Sequence, residues 1–215
     1  MKQFLRNNGL TIVLLLASAL TILGMLLSGW QVENEDLRRH GQASLPLLSY
    51  MGSGAFLSAL FENWESEFLQ MSAYVVLTAY LYQKGSAESK DPDEDEKEQE
   101  EAPMGRGKKR PAVGAGRWLY EHSLGLVLAA LFVVSFVLHL VGSARAESNE
   151  AAMHGDAGAT LLDHIASAQF WFESFQNWQS EFLSTAVIVV LSIFLRYRGS
   201  PESKPVDAPD SQTGS

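Results

Sequence analysis

The chain contains no cysteine. That absence excludes a disulfide, a thiolate nucleophile and a cysteine-ligated metal, and leaves the compartment open. Charge is missing where a soluble protein would place it. Leu10 to Leu27 holds no ionisable side chain, and Leu124 to Val141 holds only His139. Basic residues are scarce in two of the polar stretches: of the 16 Lys and Arg, only Arg38, Arg39 and Arg145 fall there. No nucleotide-binding loop, serine or cysteine nucleophile motif, or metalloprotease helix is present. These absences weigh against a familiar enzyme and against a soluble core.

What is there occurs twice. Residues 5–90 and 119–204 match at a constant offset of 114. Phe61-Glu62-Asn63-Trp64-Glu65-Ser66-Glu67-Phe68-Leu69 lies over Phe175-Gln176-Asn177-Trp178-Gln179-Ser180-Glu181-Phe182-Leu183. His40-Gly41 lies over His154-Gly155, and Gly85-Ser86-Ala87-Glu88-Ser89-Lys90 over Gly199-Ser200-Pro201-Glu202-Ser203-Lys204. A repeat of this length fixes the architecture before any local reading. The two uncharged runs are each about 18–20 residues, enough to cross ~30 Å of hydrocarbon at ~1.5 Å per residue. The first runs on to Leu27, beyond a signal-peptide core, and its counterpart is internal. It therefore reads as an uncleaved span, despite Ala17-Ser18-Ala19.

The expected fold is all-α: an integral membrane protein with four transmembrane helices in two tandem, parallel helix-hairpin repeats. Repeat 1 occupies 1–84, with spans at about 9–29 and 53–83. Repeat 2 occupies 118–199, with spans at about 123–142 and 167–197. The second helix of each repeat is proline-free and longer than a bilayer requires. Gln31–Ser44 and Arg145–Ala159 read as loops. Residues 85–117 read as a disordered charged linker carrying the acidic run Asp91 to Glu101 and the basic Arg106–Arg110, and 200–215 as a disordered tail. The net charge of −9 is mostly this run. It is a solvated tether and no nucleic-acid surface. Basic flanks place the N-terminus, linker and C-terminus on the cytoplasmic side. The lipid bilayer is the one definite partner, a homodimer fits the short spans, and no cofactor is expected.

The sharpest candidate site is the repeated box of Asn63, Trp64, Ser66 and Glu67 with Asn177, Trp178, Ser180 and Glu181. Residues four apart share a helix face, so Asn63 with Glu67 and Asn177 with Glu181 project together. Three roles fit: interfacial anchoring, hydrogen-bonded cross-links between repeats, or a Glu67–Glu181 pair that shares a proton or holds a cation. His40 and His154 are weaker candidates for a divalent metal. His139 reads as interfacial, and His122 and His164 have no repeat counterpart. The leading functional reading is a non-enzymatic membrane protein with an extracytoplasmic polar cluster, structural or ligand-binding. A small transporter or channel working through Glu67 and Glu181 comes second, and a membrane enzyme or metal-binding protein third.

Asn63-Trp64-Glu65-Ser66-Glu67-Phe68-Leu69-Gln70 and Gly199-Ser200-Pro201-Glu202-Ser203-Lys204 also carry a resemblance. The chain resembles a bacterial inner-membrane family classified only as a domain of unknown function. The resemblance covers nearly all of the chain apart from the linker and tail. It implies a bacterial inner-membrane location, and it brings no activity, cofactor or catalytic residue.

Overall fold

The computed structural model describes residues 2–92, 114–155, 158 and 160–214. Most of the acidic run and all of Arg106–Arg110 lie outside the described residues. Among those described there are seven helices and no strand. They are α1 (Lys2–Arg39), α2 (Leu47–Met51), α3 (Gly54–Tyr80), α4 (Ala115–Glu121), α5 (Ser123–His154), α6 (Leu161–Ile165) and α7 (Ala168–Phe194). Three stretches, Gln3–Arg39, Ser123–His154 and Ala168–Phe194, are long and apolar enough to cross a membrane. Leu14, Leu16 and Leu20 on α1 and Val133, Val134 and Val137 on α5 are exposed. An apolar surface of this extent on a helix suits lipid and not water. α3 is as long as α7, but its N-terminal half carries Glu62, Glu65 and Glu67.

Two stretches read as loops are helical instead. α1 continues through Gln31 to Arg39, and α5 through Arg145 to His154. Neither stretch contains the glycine or proline that would stop a helix before Gly41 and Gly155. Those two glycines take φ +70° and +79°, a left-handed backbone that glycine adopts without steric cost. At α1 the Gln42 amide bonds the Leu37 carbonyl at 2.8 Å and the Gly41 amide bonds Arg38 at 3.1 Å. This is a Schellman stop. Each repeated His-Gly thus closes a helix.

The chain forms two compact units. The first comprises Met1–Asn63 with Ser135–Trp171. Its apolar centre is Leu26, Tyr50 and Phe56, packed by Met25, Trp30, Leu47, Ala55 and Leu60. The loop after α1 is pinned by Asn34, whose amide receives the Leu45 N–H at 2.6 Å and donates to the Leu45 carbonyl at 3.1 Å. Trp30 Nε1 donates to the same carbonyl at 2.7 Å. α3 and α5 cross at backbone contact within this unit. A Cβ on Gly54 would lie 2.5 Å from the Ala146 nitrogen, and one on Gly142 would lie 2.6 Å from the Ser58 nitrogen. Gly54-x-x-x-Ser58 therefore faces Gly142-x-x-x-Ala146, a small-residue crossing of the kind that joins membrane helices.

The second unit comprises Trp64–Val134 with Phe172–Ser215. Its two repeated Gly-Ser-x-Glu-Ser-Lys motifs fold into like turns. Ser89 Oγ accepts from the Gln83 N–H at 2.8 Å and Ser203 Oγ from the Tyr197 N–H at 2.8 Å. Ser86 and Ser200 receive the Glu88 and Glu202 amides at 3.1 and 3.2 Å. Residues 200–214, read from sequence as a disordered tail, lie in turns wrapped around Lys204. The buried Lys204 Nζ donates to the carbonyls of Gly85 at 2.6 Å and of Asp210 and Gln212 at 3.0 Å, with Pro209 at 3.4 Å. Arg196 adds bonds to the Ala208 carbonyl at 2.9 Å and to Asp210 Oδ1 at 3.0 Å. Composition predicts disorder from polar content, and it does not register a buried ammonium that organises four carbonyls. Gly85 and Ser86 of the expected linker share in the same arrangement.

Candidate functional site

The two copies of the box are unequally buried. The Asn63 amide donates to the Ala59 carbonyl at 2.8 Å and the Asn177 amide to Glu173 at 3.4 Å. Ser180 Oγ donates to the Asn177 carbonyl at 2.7 Å. Each of these bonds returns to the side chain's own helix. Trp64 and Glu67 are exposed, and Glu181 is half-buried within electrostatic reach of Glu67. The buried members are Ser66 and Glu65. Glu65 Oε1 accepts from Trp178 Nε1 at 3.1 Å, and Trp178 packs edge-on against Phe132 and Phe175. Reasoning from the repeat passed over Glu65 because its counterpart is Gln179, a residue of different charge.

His40 and His154 do meet, with ring centroids 5.6 Å apart and planes nearly perpendicular. His40 Nδ1 lies 3.0 Å from the Asp36 carbonyl and 3.6 Å from Asp36 Oδ2. Among the described residues, no group of three or more His, Cys, Asp or Glu is arranged to hold a metal.

The more developed polar arrangement was missed. On α5, Ser135, His139, Ser143 and Glu147 follow at four-residue steps, so they form one stripe about 6 Å from step to step. The first three are buried, and Glu147 is 46% exposed. His164 faces this stripe from α6. That five-residue helix is held by a capping box: Thr160 Oγ1 donates to Asp163 Oδ2 at 2.6 Å, and the Asp163 amide returns to Thr160 Oγ1 at 3.3 Å. The same side-chain bond, with the one from the Thr160 amide, holds the Asp163 carboxyl below the usual carboxylate range.

His164 Nδ1 meets Glu147 Oε2 in a short contact, and Nε2 lies 2.9 Å from Ser143 Oγ. A carboxylate only accepts, so Nδ1 carries the proton. Nε2 pairs with the Ser143 hydroxyl, which can donate to it or accept from it. Fully buried Phe170 separates two imidazoles, with its centroid 5.4 Å from His164 and 5.1 Å from His139. Acid, imidazole and hydroxyl stand in the order used by nucleophilic hydrolases. Ser143, however, lies mid-helix with its N–H committed to the α5 ladder, and hydrolysis also needs convergent oxyanion donors. A proton relay needs only the line of groups. The signal was available in sequence, as polar residues at four-residue spacing on an otherwise apolar helix.

A separate acid sits at the first repeated turn. Tyr74 Oη donates to Glu88 Oε2 at 2.9 Å. Burial pushes the Glu88 carboxyl up, the Tyr74 hydroxyl draws it back, and the neighbouring Glu202 raises it further by hydrogen bonding and charge. The folded state therefore binds this proton more tightly than the unfolded chain does. Its contribution to stability is fully present below the unfolded value of about 4.3 and is lost as pH rises through the raised folded value. Glu88→Gln is expected to melt higher than the parent at pH 8, with the gap shrinking toward pH 4. A gap that stays constant across melting curves at pH 4, 6 and 8 would remove this assignment.

The family model described as Domain of unknown function (DUF6766) matches residues 1–215, and the chain belongs to that family. No curated protein and no solved structure matches it.

Proposed function

We propose that this DUF6766 member is a four-span bacterial inner-membrane protein that conducts or couples protons. Ser135, His139, Ser143, His164 and Glu147 form its outward relay. α1, α3, α5 and α7 are the spans, arranged as two tandem hairpins with both termini cytoplasmic. Support for the duplication comes from spacing: α2 and α6, and α3 and α7, begin 114 residues apart and have equal lengths. Support for the orientation comes from the basic residues that flank the N-terminus, linker and tail. The observation that carries the function is the Glu147–His164–Ser143 line. It joins a water-reached carboxylate to buried hydroxyl and imidazole groups one helical turn apart. Ionisable side chains inside a membrane helix are costly, and they persist where they mark a proton or ion path.

The test is proton flux in liposomes that hold a pH-sensitive dye and an imposed gradient. Parent vesicles should lose the gradient faster than empty ones, and His164→Ala and His139→Ala should each slow this by about ten-fold or more. Both variants should keep the parent elution profile in detergent. Parent vesicles that hold the gradient as long as empty ones would overturn the proposal. A second reading, coupling through Glu67 and Glu181, is favoured by the electrostatic reach between them. In that case Glu67→Gln with Glu181→Gln abolishes flux while His164→Ala leaves it intact.

A further inference from the structure

The second unit holds a cavity of about 250 Å³ between α3 and α7, closed at one end by the turn that contains Glu88. Leu77, Phe182 and Val189 line its body, and Gln70, Tyr74 and Glu88 provide polar groups. Among the described lining residues there is no Lys or Arg.

The polar groups are unequally satisfied. Gln70 Nε2 is engaged by Thr185 Oγ1, which leaves the Gln70 carbonyl oxygen as an acceptor. Tyr74 spends its proton on Glu88 Oε2 and keeps its own oxygen lone pairs. Glu88 Oε1 is buried and receives no hydrogen bond. The carboxyl of Glu202, the repeat counterpart of Glu88, is near enough to raise the Glu88 carboxyl further. The cavity is thus apolar along its length and short of donors at its end.

We propose that this cavity binds a primary alkylamine, its ammonium on Glu88 and its chain between α3 and α7. A primary ammonium supplies three donors and no acceptor. That matches a buried carboxylate oxygen with no donor, a tyrosine oxygen and an amide carbonyl. Its charge offsets the adjoining Glu88 and Glu202, where an anion would meet two carboxylates. The hydrocarbon chain gains from apolar walls at about 25 cal/mol per Å² removed from water. Few well-placed polar groups in an apolar concavity are the usual make-up of a small-molecule site. An aminophospholipid headgroup has the same ammonium but would bring its phosphate against the two carboxylates. The occupant is therefore a phosphate-free amine. The assignment does not depend on the proton relay and stands or falls without it.

The experiment uses the full chain in detergent, titrated with octylamine, octanol and octanoate and followed by calorimetry and thermal melting. Octylamine should bind saturably and raise the melting temperature, and the other two should bind at least about ten-fold more weakly, a difference of ~1.4 kcal/mol. Glu88→Gln should weaken octylamine to the level of octanol. Ala186→Trp, which fills the cavity and leaves the carboxylates in place, should abolish binding of all three. Equal binding of octanol and octylamine would overturn the proposal, as would octylamine binding that Glu88→Gln leaves unchanged. Displacement of octylamine by micelles doped with phosphatidylethanolamine would overturn the choice of a phosphate-free ligand.

Discussion

Gly142→Val and Gly54→Val should each lower the melting temperature in detergent more than any other single substitution in the first unit. The reason is what a side chain would meet. At Gly142 the new Cβ would sit 2.6 Å from the Ser58 nitrogen and 3.1 Å from the Leu57 carbonyl carbon. At Gly54 it would sit 2.5 Å from the Ala146 nitrogen and 2.6 Å from the Gly142 carbonyl oxygen. These are backbone atoms of helices and cannot rotate away as a side-chain tip would. The crossing must open instead. Overpacking costs about 1–3 kcal/mol where side chains can adjust, so a cost above about 3 kcal/mol is expected where they cannot. Because the two glycines serve one crossing, the double Gly54→Ala, Gly142→Ala variant should lose less than the two singles together. Gly24→Ala provides the control: a Cβ there meets nothing within 4 Å, and alanine favours a helix over glycine by ~0.8–1.0 kcal/mol. The crossing also sets the position of Ser143, the residue after Gly142. Proton flux should fall in Gly142→Ala even at temperatures where it remains folded. If Gly142→Ala and Gly24→Ala melt within a degree of each other, the close crossing does not govern stability.

How far the residues alone lead is clear from these positions. The all-α class and the apolar helices were legible, because uncharged runs as long as Leu10–Leu27 and Leu124–Val141 match the thickness of a bilayer and stand out in composition. The expected membership of a domain-of-unknown-function family holds, over residues 1–215. The glycine crossing was not, because Gly54 and Gly142 become partners only once α3 and α5 are placed side by side. The same holds for the relay. His139 and His164 lie 25 positions apart in the chain with no repeat counterpart, and a search guided by duplication discards such residues. The unshared residues Glu65, His139 and His164 are buried, whereas the shared Glu67 is exposed and Glu181 half-buried. The ends of α1 and α5 failed for a different reason. Polar, charged stretches resemble loops in composition, but 31–40 and 145–154 hold no glycine or proline, and the helices run on to the glycine stops at Gly41 and Gly155.

Lys204→Met should free the C-terminal segment while leaving the helices intact. The Lys204 ammonium is buried, and burial followed by the nearby Arg196 charge pushes its pKa down, with Asp210 opposing. Placing a charge there is costly, so the attraction of four carbonyl oxygens must offset that cost. Methionine keeps most of the side-chain volume and removes every donor. The Gly85, Asp210 and Gln212 carbonyls then lose their bonds to Nζ, and the Pro209 carbonyl its longer contact at 3.4 Å. Hydrogen bonds to a charged group contribute about 1.5–3 kcal/mol each, so after the desolvation cost no longer paid the expected net loss is about 2–4 kcal/mol. Two amides report it. Gly85 N–H donates to Thr213 Oγ1 at 2.9 Å, and Gly214 N–H to the Ser86 carbonyl at 2.9 Å. Their hydrogen exchange should quicken by roughly 30- to 1,000-fold, the rate equivalent of that loss. Amides in α7 should exchange as in the parent. The exposed repeat counterpart gives the contrast, and Lys90→Met should change neither rate. Unchanged exchange at Gly85 and Gly214 in Lys204→Met would mean that Arg196 and the serine bonds hold the segment without the ammonium.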